Sequence, residues 1–291
     1  MNVVRELNAD DPVALCLRGR IAPEIALARL LLAGEAAAGI AARIAAARVP
    51  GDAWAGLARL ASARGTTLDE LRAMIDAADF EHAGVTTPES VAFLFDRAVA
   101  LSPEASVALY SLGDPAILAA ATAELLAWLE GERLLTPGMD VLDFGCGIGR
   151  VAAALATQAR SVMGVDVSPA MIAVARSRCA GQANVSFVAS SGHGLEMAAD
   201  QSHDLVLAVD SFPYLMQASV ELAGRHVAEA ARVLRPGGAL VVLNLSYRRD
   251  AEADDALAAA WAARHGWLLQ QSGVRPFSLW DGNAFVWRRQ L

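Results

Sequence analysis

Ten residues constrain this chain more than any others: Val141-Leu-Asp-Phe-Gly-Cys-Gly-Ile-Gly-Arg150. Met139 to Phe144 reads as a buried strand that breaks at Gly145, and Val151-Ala-Ala-Ala-Leu-Ala restarts the chain as a helix. A turn built this way lets a ligand approach the main chain closely. Free N–H groups at the start of the helix would face whatever lies over Gly145 and Gly147, and they favour a negative group such as a carboxylate or phosphate.

Glycine spacing separates the ligands that use such a turn. A dinucleotide-binding turn needs G-x-G-x-x-G, whose third glycine would fall where this chain has Arg150. The glycines stand instead at 145, 147 and 149, preceded by Asp143. This D-x-G-x-G-x-G resembles the first motif of the class I S-adenosylmethionine (SAM)-dependent methyltransferases. A glycine-rich turn in an ordinary α/β domain also fits the ten residues taken alone.

Beyond the turn, strand and helix alternate, which predicts a mostly parallel sheet covered on both faces. The second strand, Ser161 to Asp166, ends in a carboxylate 21 residues past Gly145, where an acid meets a ribose hydroxyl pair; capping the following turn is the alternative role for Asp166. Ser168-Pro169 then starts a helix. The third strand, Val185 to Ser190, runs into Ser191-Gly192-His193. The resemblance implies an acid here that accepts from the adenine amino group, so this chain departs from the pattern. The fourth strand, Asp204 to Asp210, leads into Ser-Phe-Pro-Tyr-Leu-Met216, which should border the ligand crevice. A helix from Val220 to Leu234 ends in Arg235-Pro236-Gly237-Gly238 before a fifth strand, Ala239 to Leu245. This L-R-P-G-G turn is the second point of resemblance to the methyltransferases. Trp267 to Gln271 and Asn283 to Arg289 look like the closing antiparallel hairpin of that family's sheet.

Residues 1 to about 100 read as helices with no convincing strand. An apolar stripe begins at Ile25, Leu27, Leu30 and Leu31 and is expected to run to Arg48, where Pro50-Gly51-Asp52 stops it. Shorter helices follow at Trp54 to Ala63 and Thr67 to Ala78, the latter started by a Thr67/Glu70 capping box, and another at Thr87 to Ala100. Residues 101 to 115, rich in turn formers, predict the join between two parts.

The expectation is therefore a helical N-terminal accessory domain, 1–100, and a Rossmann-like methyltransferase domain, 101–291. By resemblance, the latter has a seven-stranded mostly parallel sheet of order 3-2-1-4-5-7-6, with strand 7 antiparallel. At 291 residues with 55% hydrophobic content there is enough chain for both. A net charge of −8 argues against nucleic acid as the main partner. The three scattered cysteines suggest neither disulfides nor zinc, and with no leader or membrane-length apolar run they predict a cytoplasmic protein.

The resemblance implies transfer of the sulfonium methyl group to an acceptor by in-line displacement, leaving S-adenosylhomocysteine. Because SAM is already activated, the protein mainly aligns the reactants and excludes water. Carried over residue by residue, the cofactor site comprises Tyr110, Asp143, Gly145, Cys146, Gly147, Arg150, Asp166, Val167, Met171, Ser191, Gly192 and Asp210. Asp143 would orient the methionine amino end, Asp166 the ribose, and Tyr110 the methionine carboxylate. Asp210, Tyr214 and His193 are the candidates for moving a proton; a structural aspartate, a packed tyrosine and a solvent-facing loop histidine are their other readings. Cys146 reads as a small residue filling a tight site, since no activating base stands beside it. No metal is expected, and the expected acceptor is a small molecule held under the N-terminal helices near Phe93, Phe95 and Tyr110. Two rivals stand: a non-catalytic protein that binds SAM or its product, and a nucleotide-dependent oxidoreductase.

Overall fold

The computed structural model describes residues 10–47, 51–78, 86–248 and 250–291. Two compact units emerge: one of Met1–His82, Arg97–Ala121 and Phe277–Asp281, the other of Ala83–Asp96, Thr122–Pro276 and Gly282–Leu291. The division thus crosses the chain several times, where the sequence suggested one boundary near residue 100.

Helices build the first unit: α1 (Pro12–Leu17), α2 (Pro23–Leu32), α3 (Ala37–Ala46), α4 (Asp52–Ala63) and α5 (Gly65–Ala78). Helix α6 (Pro88–Leu101) divides between the units, followed by α7 (Pro103–Val107), a short 3₁₀ turn and α8 (Pro115–Gly131). Asp11 caps α1 by accepting from the Val13 and Ala14 N–H groups at 2.9 and 3.1 Å. The stripe expected to run on from Ile25 breaks after Leu32, where Gly34 adopts φ 88° and the chain turns into α3; its expected end at residues 48–50 lies outside the described residues. Helix α5 starts two residues before Thr67, so that threonine sits inside the helix and is not its cap. Leu27, Leu30, Ile40, Leu57, Leu68 and Ile75 form the core of this unit, and Ala105 and Leu112 are buried with them. The turn-rich segment after residue 100 therefore belongs to a packed core as well as being a connection.

In the second unit, β1 (Asp140–Phe144), α9 (Arg150–Leu155), β2 (Ser161–Asp166), α10 (Pro169–Arg178), β3 (Val185–Ala189) and β4 (His203–Val209) come first. Then follow α11 (Phe212–Ala218), α12 (Val220–Val233), β5 (Leu234–Leu243), α13 (Ala251–His265), β6 (Trp267–Val274) and β7 (Ala284–Arg289). The sheet order is β3-β2-β1-β4-β5-β7-β6, and β7 runs antiparallel to both β5 and β6. This is the predicted Rossmann-like methyltransferase topology. Near-continuous apolar runs in β1, β4 and β5 are buried on both faces, as central parallel strands require. Trp261, Trp267 and Trp287 pack into the core of this unit, and the Trp287 indole N–H donates to Ala258 O at 3.0 Å.

The L-R-P-G-G turn is drawn into the sheet, since β5 begins at Leu234 opposite His203 and resumes regular register at Ala239. Arg235 explains the detour: its guanidinium bridges Asp204 at 2.8 Å and Asp140 at 2.9 Å, tying the amino ends of β1, β4 and β5 together. A side chain at Gly238 would stand 2.9 Å from Arg235 O and 3.0 Å from Asp204 O, so only glycine fits that approach.

Candidate functional site

The glycine turn lies at the carboxyl end of β1, against the end of β4. Gly145 has φ 72°, and a Cβ there would fall 2.4 Å from Ser211 Cβ. Ser211 is fixed in turn by donating its hydroxyl to Phe144 O at 2.9 Å. The Gly145 and Cys146 N–H groups both donate to Val165 O, at 2.7 and 3.0 Å, anchoring the turn on β2. The fixed Ser211 side chain and the left-handed backbone are thus the reasons for the glycine.

Two carboxylates flank this turn. Asp143 is 1% exposed and its Oδ2 has no hydrogen-bond partner among the described residues. Burial pushes its carboxyl up to about 7 and Asp166 adds to the rise, while Arg150 and the Ala152 N–H oppose it. Arg150 itself donates to Thr122 Oγ1 at 2.8 Å. Asp166 accepts from the Gly147 N–H at 2.8 Å and the Ser168 N–H at 2.9 Å, one on each oxygen. Burial raises its carboxyl and these N–H groups pull it back. The turn-capping role is therefore real, and it is compatible with a second partner on the remaining lone pairs. Cys146 and Met171 are buried, and burial drives the Cys146 thiol well above its usual range, which fits the packing role.

At the end of β3, Ser190 and Ser191 turn their hydroxyls onto the N–H groups of Gly192 and His193, each at 3.3 Å. Val167 and Gly192 meet under Pro88: a Cβ on Gly192 would lie 2.5 Å from Pro88 Cβ and 2.8 Å from Val167 Cγ1. His193 is exposed and stands 3.6 Å from Glu89, as a loop histidine would. Helix α6 is also pinned at Asp96, which accepts from Ser168 Oγ at 2.5 Å and the Ala170 N–H at 3.1 Å. Sequence reading missed Asp96, because nothing in the chain marks it as the partner of a helix start 72 residues later.

Asp210 and Tyr214 come together at the ends of β4 and β5, joined by two residues that sequence reading did not select, Asn244 and Tyr247. Phe95 meets Tyr214 edge to face, with ring centroids 5.1 Å apart. Tyr110 belongs to the helical unit, where it stacks on Trp280 at 6.3 Å. The structure thus gathers the Gly145 turn, Asp143, Asp166, Val167, Gly192, Asp210 and Tyr214 along the carboxyl ends of β1 to β4, the edge where open α/β sheets bind ligands. That edge offers a buried carboxylate oxygen with no hydrogen-bond partner among the described residues, a turn at Gly145 with no room for a side chain, and a second acid, Asp166.

Comparison with known proteins finds methyltransferases over the same part of the chain. Residues 141–238 match the family model of a methyltransferase domain. The chain is 36% identical over 115 residues to a demethylmenaquinone methyltransferase of Tropheryma whipplei, covering 40% of this chain and 45% of that protein. It is 33% identical over 136 residues to an S-adenosyl-L-methionine-dependent Diels-Alderase, iccD, of Talaromyces variabilis, covering 45% and 43%. The chain spans about half the length of the curated relatives it matches. Phosphoethanolamine N-methyltransferase 1 of Haemonchus contortus shares the fold, with a TM-score of 0.51 at 18% identity over 70% of this chain and 49% of that one.

Proposed function

We propose that this chain, whose α/β unit belongs to the class I SAM-dependent methyltransferase family, binds SAM and transfers its methyl group to a small-molecule acceptor. The observation that carries the reading is Asp143, a buried acid with an orphaned oxygen directly beneath a turn that must be glycine. Holding an uncompensated carboxyl there costs stability, and a cationic ligand group removes that cost. Asp143 would orient the ammonium end, the main chain at Gly145 and Gly147 would take the body of the cofactor, and Asp166 would accept from the ribose. When bound, SAM supplies an activated methyl group. The protein's part is alignment and exclusion of water.

The relative named as a Diels-Alderase favours a second reading, in which SAM is held without methyl transfer. Both readings predict SAM binding and exclude the nucleotide-dependent oxidoreductase. Calorimetric titration with SAM and with NAD tests them together: SAM should bind and NAD should not, and the reverse preference defeats both. Small-molecule selectivity is supported by the acidic net charge of −8, which disfavours nucleic acid as acceptor. No helix among the described residues is long and apolar enough to cross a membrane, and the three cysteines are free and buried. The free thiols support a reducing cytoplasm as the place of action.

A further inference from the structure

Helix α10 starts on more than its own serine cap. Of its first three positions, Pro169 has no N–H to satisfy, and the Met171 N–H donates to Ser168 Oγ at 3.0 Å, the usual serine cap. The remaining donor, the Ala170 N–H, is taken from outside the helix by Asp96 of α6 at 3.1 Å. The same oxygen, Asp96 Oδ1, receives the Ser168 hydroxyl proton at 2.5 Å. An ionised carboxylate has only lone pairs to offer, so in that bond the hydroxyl donates. Capping α10 does not require this proton to be taken up; taking it fixes the rotation of the hydroxyl and ties Ser168 to α6.

Ser168 is thereby held at both side chain and main chain. Its N–H donates to Asp166 Oδ1 at 2.9 Å, while the Gly147 N–H donates to Asp166 Oδ2 at 2.8 Å. Each oxygen of Asp166 keeps a lone pair, and Asp166 is half-buried where Ser168 is wholly buried. One accessible carboxylate with an acceptor left on each oxygen suits a pair of neighbouring hydroxyls. Its orientation is set on one side by the glycine turn and on the other by Ser168, which Asp96 holds in turn. Helix α6 is itself located by further contacts within the same unit: Pro88 lies against Gly192, and Phe95 meets Tyr214 edge to face.

We propose that Asp96 is a positioning residue for the cofactor's ribose, acting through Ser168 to hold Asp166 in the orientation that receives both ribose hydroxyls. The proposal rests on the SAM-binding reading above. Asp96 acts at one remove from the cofactor, so its removal should cost affinity only through those hydroxyls. What matters in Asp96 is the placement of Oδ1, since both of its bonds to α10 land on that atom. Asparagine can put an oxygen in the same place. It also removes a charge that opposes ionisation of Asp166, so nothing is lost with the charge.

The test is calorimetric titration of the full chain with two probes, S-adenosylhomocysteine and its 2′,3′-dideoxy analogue, which lacks the ribose hydroxyls. Asp96→Ala should weaken S-adenosylhomocysteine about tenfold, the worth of one net hydrogen bond, and leave the dideoxy analogue within about twofold of the wild type. Asp96→Asn should restore S-adenosylhomocysteine to near the wild-type affinity. Asp96→Glu keeps the charge but displaces the accepting oxygen by a methylene, and it gives the same comparison should Asp96→Ala not fold. In an Asp166→Ala background, Asp96→Ala should weaken S-adenosylhomocysteine no further. Equal weakening of both probes is the mark of a merely structural role and overturns the proposal, as does unchanged S-adenosylhomocysteine affinity in Asp96→Ala or an asparagine variant as weak as alanine. Each of these leaves wild-type binding intact and the cofactor reading with it. A wild type that does not bind S-adenosylhomocysteine overturns that reading and the proposal together.

Discussion

Replacing Asp143 with asparagine should stabilise the ligand-free protein, and the gain should depend on pH in a way that identifies its cause. The carboxyl titrates near 7 in the fold against an ordinary 3.8, with burial as the largest cause. Between those values the folded chain holds a proton that the unfolded chain has released, so wild-type stability falls by about 1.4 kcal/mol per pH unit and levels off above pH 7. The full cost is about 4 kcal/mol. Asparagine keeps the shape, carries no charge and does not titrate, but its buried amide N–H group costs about 1–3 kcal/mol if unpaired. Asp143→Asn should therefore gain on the order of 1–3 kcal/mol at about pH 8 and little or nothing near pH 5. Urea unfolding across that range reads the difference directly. The rise of the difference with pH is the informative feature, because the amide cost shifts the whole curve without tilting it. A difference that stays flat across the range would show that Asp143 is ionised in the fold and would remove the argument for an orphaned acid. The same substitution should weaken SAM binding. In the wild type, titrations near pH 6 in buffers of different ionisation enthalpy should reveal a proton released on binding, as the ligand's ammonium draws Asp143 into its charged form.

Asp166→Ala should weaken SAM by about 1.5–3 kcal/mol, the range for hydrogen bonds to a charged group, and should lower the melting temperature too because the Gly147 and Ser168 N–H groups lose their acceptor; an unchanged dissociation constant in the folded variant would refute the ribose role. Gly145→Ala should abolish SAM binding or folding, and trimming the opposing side chain in a Gly145→Ala, Ser211→Gly double variant should recover only part, because φ 72° remains strained; full recovery would show that the contact alone mattered. Methyl transfer should persist in a chelator, and loss restored by magnesium would show a metal requirement.

The parallel sheet was legible because each strand carries its own signal: apolar runs of the right length, terminal acids, and glycines where the chain turns. The strand order came from resemblance, and the register confirms it. The helical unit was harder to read. Alanine-rich segments favour helix everywhere and mark boundaries poorly, so the break at Gly34 and the short α1 and α11 were not foreseen. In the site, Gly145 and Asp166 are read from local spacing, and Asp143 from the resemblance its motif carries. Tyr247, Asn244 and Asp96 are brought in from other strands and helices, and their roles exist only in the hydrogen bonds they make across the fold.

The central claim is methyl transfer, and the most direct measurement is incubation of the protein with methyl-labelled SAM and a small-molecule extract, followed by mass analysis. The account predicts a compound heavier by one labelled methyl group, formed with S-adenosylhomocysteine in equal amount and absent with Gly145→Ala. Tight SAM binding with no labelled product and no S-adenosylhomocysteine would contradict it and leave the chain as a SAM-binding protein that does not methylate.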